Sequence, residues 1–326
     1  MIDALAAAML ASLVAYCVLA GADFGGGVWD LLATGPRAER QRRLVDDAIA
    51  PVWEANHVWL ILIVVLLFTG FPRAFAAASI GLHVPLTLML LGIVLRGSAW
   101  AFRRYGGRAR WGRIFAIASA VTPIFLGSAL GAVTSGALHA GPDGAPELGF
   151  FRPWLAPFPL AVGALTLALF AYLAAVYLAV EASDPDLRDD FRARAILSAV
   201  VVAGCALAAG LLTPQGARHF RETLLGSPWS WLHQISTGAA AVGALWALFT
   251  RRFRTARAMA VVQVALIVGG WGAAQRPFLI APDLTLESAA APEPTLRLLL
   301  VALATGSVVL FPSLWWLFRV FKRGRA

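Results

Sequence analysis

Of the 326 residues, 60% are apolar and only 14% are charged, and the mean hydropathy is +0.74. A soluble domain carries about 25% charged residues, so a water-facing surface cannot be built and lipid must be the solvent for most side chains. The formal charge of +9 does not point to nucleic acid, because the arginines fall in short connections between apolar runs rather than along one solvated face.

A helix that crosses a bilayer needs about 20 predominantly apolar residues. Runs of that kind fall at 4–33, 48–71, 75–102, 113–138, 157–181, 193–213, 229–250, 257–280 and 296–320. The pattern predicts an all-α polytopic membrane protein of about nine crossings. Its helical bundles would form a single integral membrane domain over residues 1–326. The chain starts MIDALAAAML, with Asp3 and no basic stretch, so the first run is expected to stay as a span rather than be cleaved as a signal peptide.

The first run contains GADFGGGVWD. Asp23 and Asp30 are two helical turns apart and point to nearly the same side. Gly21, Gly25, Gly26 and Gly27 leave a thin strip beside Asp23 where another helix can approach closely. Cys17 in this run and Cys205 in the sixth read as small buried apolar residues, with neither metal-ligand spacing nor a disulfide framework.

The second run opens APVWEANHVWLI. Pro51 suits a first turn, where its missing N–H would have no partner anyway. Trp53, Glu54, Asn56, His57 and Trp59 follow, and Glu54 and His57, three apart, share a face. A carboxyl beside an imidazole in a dry site can pass protons. The third run holds Arg96, a charge that is costly inside lipid unless paired. A purely structural reading pairs it with Asp23 or Glu54 to hold helices together. Asp30, Asn56 and Trp59 belong with Arg96 as packing and pairing residues.

His83, His139 and His233 are isolated, so axial haem ligation by this chain is not expected. Glu181 ends the fifth run as a solvated charge. The 12 tryptophans mostly mark helix ends, as in an aromatic belt.

The connections alternate in charge. Arg37, Arg40, Arg42 and Arg43 follow the first run, Arg103, Arg104, Arg108, Arg110 and Arg113 the third, Arg188, Arg192 and Arg194 the fifth, and Arg251, Arg252, Arg254 and Arg257 the seventh. The C-terminus adds Arg319, Lys322, Arg323 and Arg325, whereas the other connections hold only Arg73, Arg152, Arg218, Arg221 and Arg276. This bias predicts a cytoplasmic C-terminus and an outside N-terminus. Asp23, Glu54 and His57 then share the inner half of the membrane, where a proton from the cytoplasm would enter. Segments 140–158 and 276–294, rich in Pro and Gly, are expected to be ordered caps on the outer face.

Taken in order, GADFGGGVWDLL, IAPVWEANHVWLI, Arg96 in VLRGSAWAFR and RPFLIAPDLTLESAAAP resemble subunit II of the cytochrome bd-type quinol oxidases. The likeness extends over nearly the whole chain. It implies a respiratory complex of the bacterial cytoplasmic (inner) membrane that oxidises quinol and reduces dioxygen to water. It further implies that haem b, haem d and the quinol-oxidising loop belong to a haem-bearing subunit I, the heterodimeric partner. This chain would hold no haem and at most a structural quinone or lipid; a small extra subunit and membrane lipid are the other partners it allows. Carried over by motif, Asp23 and Glu54 would be proton-path acids. Some members have Asp at the place of Glu54 and some have Gln at the place of His57, so His57 would be a second titrating group with its own role. Two rivals remain open: a secondary transporter with an intramembrane acidic substrate site, and an assembly subunit whose acids are chemically silent.

Overall fold

The computed structural model describes residues 1–49, 56–103, 108–138 and 149–323. Fourteen helices and one two-stranded hairpin are found among them. The first is α1 (Ile2–Leu31), followed by a short amphipathic α2 (Ala38–Ile49), α3 (Val58–Gly70), α4 (Pro72–Gly81), α5 (His83–Phe102) and α6 (Arg108–Ser135). The chain continues with α7 (Arg152–Leu155), α8 (Pro157–Glu181), α9 (Pro185–Gly216), α10 (Arg218–Gly226), α11 (Ser230–Phe249) and α12 (Phe253–Gln275). Strands β1 (Phe278–Ile280) and β2 (Leu284–Thr285) pair antiparallel, and α13 (Leu286–Ala289) and α14 (Glu293–Arg323) close the chain.

Eight of the described helices are long and apolar enough to cross a membrane, and α3 with α4 meets the same test as a pair bent by 116°. The expected run 48–71 appears as α3, with residues 50–55 outside the described residues. The expected run 75–102 is two helices rather than one. Pro72 and Pro85 explain both breaks: each lacks an N–H, and its ring crowds the carbonyl four residues back. The chain therefore turns at Phe71 and at Leu82, both fully buried. The expected run 257–280 ends at Gln275, because Pro277 pushes Arg276 into an extended conformation (φ −60°, ψ 144°) and β1 begins.

The bundle is organised around α8, whose second half is buried on nearly every side, from Ala168 to Ala179. It packs against α1, α6, α9 and α12. The glycine strip of α1 is where α8 comes closest. A Cβ on Gly25 would collide with the backbone carbonyl of Phe170, and one on Gly21 would lie 2.7 Å from the Phe170 ring. On another side of α1, Gly27 meets Ser119 of α6. With no side chain in the way, backbones approach and gain dispersion contacts, the main attraction left between helices in lipid. The helices are pinned further where Trp29 Nε1 donates to the Ala171 carbonyl at 2.8 Å.

The two ends of the bundle differ. At one end α2, the 182–184 connection, the start of α9 and the 250–252 turn are tied by Arg37–Asp190, Arg40–Asp184, Arg251–Asp189 and the Arg194–Gln41 hydrogen bond. The Arg37–Asp190 hydrogen bond raises the Arg37 pKa above its ordinary value. The amphipathic α2, unannounced by the apolar pattern, lies over this end with Val45 fully buried.

At the other end, the β1–β2 hairpin and α13 form the expected cap over 276–294. Ala281 N–H donates to Val133 O at 3.2 Å, Ala291 N–H to Gly70 O at 2.8 Å and Arg276 Nη2 to Asp3 at 2.6 Å. A separate apolar cluster of Leu5, Phe71, Leu82, Trp154 and Ile280 lies beneath it. Residues 139–148, including His139 and the first part of the other expected cap, lie outside the described residues.

Candidate functional site: a buried carboxyl between α1, α3 and α5

Asp23 is buried (6% exposed) on α1, about two turns before the α1 end that α2 covers. Asn56, at the entry to α3 and 3% exposed, donates from Nδ2 to Asp23 Oδ2 at 2.6 Å. Residue 57 is the N-cap of α3, and its ring lies edge-on to Phe24 (6.1 Å) and tilted to Tyr16 (6.0 Å). Asp23, Asn56 and His57 are thus brought together at one depth. Glu54 lies outside the described residues.

Arg96 of α5 enters the same space, 2% exposed. Its guanidinium sits over the rings of Phe24 (4.7 Å) and Phe115 (5.4 Å). Each face of such a ring is electron-rich, so the two stabilise the cation without neutralising it. Nε and Nη2 of Arg96 have no hydrogen-bond partner among the described residues. Arg96 and Asp23 feel each other's charge, yet the described residues show no ion pair within 4.0 Å between them. The Asp23 bond goes to Asn56 instead. The result is a carboxyl and a guanidinium in a dry space that neither salt-bridge to each other nor reach bulk water directly.

Asp30 is placed differently. It turns to Arg103, whose Nη2 lies 3.3 Å from Asp30 Oδ1 while Nη1 lies 3.2 Å from Asp46 of α2. Arg42 adds a contact at 3.8 Å. Asp30 and Arg103 are both nearly inaccessible (4% and 5% of the side chain). This ion network clamps α2 and α5 to the end of α1. Trp59 is half-buried against the main apolar core. Arg103, Asp46, Tyr16 and Phe115 were not singled out in the sequence. Arg103 is one arginine among several in FRRYGGRARWGR, and nothing local separates it from the exposed Arg110 and Arg113.

The remaining described histidines are held in separate places. His83 contacts the Ile80 carbonyl and Phe150, His219 the Arg276 carbonyl and Phe278, and His233 the Trp229 ring and the bare backbone of Gly270. Among the described residues, no group of three or more His, Cys, Asp or Glu side chains converges as a metal site would require. A second space, a partly open cavity of about 620 Å³, lies between α1, α6, α8, α9, α10, α11 and α12. Leu126, Phe170, Val202 and Trp271 line its apolar part, and Gln263 and His233 are polar points on its wall.

A sheath of lipid-length apolar helices around one buried carboxyl cluster, with an ion-paired lid at one end and a folded cap at the other, defines a polytopic α-helical membrane subunit. A family model described as cytochrome bd terminal oxidase subunit II matches residues 1–321, and the chain belongs to that family. It is similar to a putative cytochrome bd menaquinol oxidase subunit II of Bacillus subtilis (strain 168), 24% identical over 323 residues, which covers 95% of this chain and 92% of the relative. It is also similar to the cytochrome bd-I ubiquinol oxidase subunit 2 of Escherichia coli (strain K12), 29% identical over 214 residues, 63% of this chain and 55% of that one. Its fold matches a chain in the structure of bd oxidase from Geobacillus thermodenitrificans with TM-score 0.82, at 24% identity and 98% coverage of both chains. The chain is therefore one subunit of a bd-type quinol oxidase, an oxidoreductase complex that also implies a subunit I. The family assignment leaves the secondary transporter without support.

Proposed function

We propose that this chain carries protons from the arginine-rich end of the bundle toward subunit I, and that it stabilises that haem-bearing partner. Asp23 is the central proton carrier. Glu54 and His57 are the neighbouring titrating groups on the path, and Asn56 positions the Asp23 carboxyl through its hydrogen bond. The observation that carries this reading is Asp23 itself: nearly inaccessible, held by a neutral amide and, among the described residues, not locked into an ion pair. A carboxyl clamped by an arginine, as Asp30 is, can take up a proton only by giving up that buried pair, which is costly, so it would pass protons poorly. Arg96 holds a positive charge in the same space and, with Asp30 and Trp59, helps fix the geometry around the path.

In this reading the arginine-rich end faces the cytoplasm, the N-terminus faces outward, and the complex sits in the bacterial inner membrane; the arginine bias supports that orientation. Haem b and haem d are held by subunit I, where quinol is oxidised and dioxygen reduced. A structural quinone or lipid would sit in the 620 Å³ cavity, whose apolar wall suits a long hydrocarbon tail. The exposed apolar helix faces leave room for membrane lipid and a small extra subunit.

The test is made on the purified two-subunit complex. Asp23→Asn and Glu54→Gln are each expected to slow quinol-driven oxygen uptake while haem spectra and subunit content stay normal. Unchanged turnover in both variants would leave an assembly subunit with chemically silent acids as the better account.

A further inference from the structure

At the arginine-rich end, where α11 passes into α12, an open pocket of about 410 Å³ lies between α8, the start of α9 and the first turn of α12. Arg188, Arg251, Arg252 and Arg254 line it, with Val180 and Phe253 as its apolar floor. Among the described residues, only one of these four charges is matched by a carboxylate: Arg251 meets Asp189 at 2.9 Å. Arg188 donates from Nε and Nη2 to the neutral Ala182 carbonyl at 3.0 and 2.6 Å. Arg252 lies over the Trp246 ring at 4.9 Å. Arg254 is exposed and makes no hydrogen bond or ion pair among the described residues. Glu181, the other nearby acid, is turned to Arg257 at 4.0 Å.

The backbone adds to the imbalance. Arg251 takes a left-handed conformation (φ 58°), so the chain reverses sharply before α12. The N-cap residue Arg252 offers no side-chain acceptor to the first turn. Its amide donors and the positive end of the helix dipole therefore lie beside the arginines. Beside it, on the last turn of α11, Trp246 (under Arg252) and Phe249 (under Arg192) are 49% and 60% exposed, an apolar flank. Uncompensated arginines above an exposed aromatic flank match a molecule with a phosphate at one end and hydrocarbon at the other.

We propose that this pocket is a binding site for the phosphodiester of an anionic phospholipid, with the acyl chains lying along Trp246 and Phe249. Free phosphate shares the headgroup chemistry but gains nothing from the aromatic flank, and the experiment separates the two. The oxidase complex is reconstituted with equal phosphatidylglycerol and phosphatidylcholine of the same acyl chains, transferred to detergent, and its retained lipids are counted by native mass spectrometry. The intact complex is expected to retain phosphatidylglycerol in preference. The double variant Arg252→Gln/Arg254→Gln should retain roughly 20- to 30-fold less of it, about fivefold per charge, with phosphatidylcholine unchanged. The single variant Arg254→Gln, whose exposed side chain supports no fold contact, should show about the fivefold part alone. Arg218→Gln at the opposite end should change nothing. Equal retention by Arg254→Gln and the intact complex would overturn the assignment. So would full displacement of phosphatidylglycerol by millimolar inorganic phosphate, which would mark an ordinary phosphate site.

Discussion

Asp23 and Asp30, seven residues apart on one helix, show how neighbours decide what a buried acid does. Asp23 has one amide donor at 2.6 Å; Asp30 has an arginine at 3.3 Å shared with Asp46. Asp23→Asn keeps the shape and can still accept from Asn56, so the complex should assemble, but oxygen uptake should fall by about 100-fold, the lower end of what a positioned proton-transfer group contributes. An oxygen electrode with reduced quinol reads this directly. Arg103→Gln should act on stability rather than on proton supply. Removing one partner from a nearly inaccessible network costs about 3–5 kcal/mol, measurable as a lower midpoint in thermal or denaturant unfolding of the complex. A shift worth less than about 1 kcal/mol would mean that water reaches Asp30 and Asp46 far more freely than their burial indicates. Asp23 and Asp30 could be singled out from the sequence because acids are rare in apolar runs. Arg103 could not, since its burial comes from α2 folding over it.

At the scale of elements, the α1–α8 contact depends on the absence of a side chain. Gly25→Ala should separate the two helices, because the obstacle is the Phe170 backbone and not a side chain that can swing away. A cost of about 1–3 kcal/mol or more is expected, read as reduced assembly with subunit I and a lower melting midpoint. Gly238, in α11, has open space around its Cβ position, so Gly238→Ala should be neutral or slightly favourable and serves as the contrast. The small-residue spacing marked this contact in advance. The breaks at Phe71 and Leu82 were signalled by Pro72 and Pro85, but apolar content alone merged α4 with α5. Hydropathy measures length in lipid and is blind to a turn made of apolar residues. The short α2 escaped for the opposite reason: its charged face hides a buried stripe that gains its partner only when the bundle has formed.

For the whole molecule, the two dissimilar ends set a testable orientation. In a chain freed of Cys17 and Cys205, a cysteine placed at Gly35 should react with an impermeant thiol reagent only after the membrane is opened. One placed at Asp283, in the capping hairpin, should react in intact cells. The reverse pattern would turn the molecule over and place Asp23 away from the cytoplasmic proton supply.

Composition and arginine spacing by themselves determined that the chain lives in lipid, roughly where most of its spans fall and which connections share an end, because the cost of burying charge in hydrocarbon acts on every residue independently of its neighbours. The pairing of Asp23 with Asn56, the capture of Asp30 by Arg103, the placing of the Arg96 guanidinium over Phe24 and Phe115 and the arginine pocket beside α12 were decided only by the tertiary structure. Each depends on side chains far apart in sequence meeting at one depth, and in a medium without water the choice of partner is set by which helices touch.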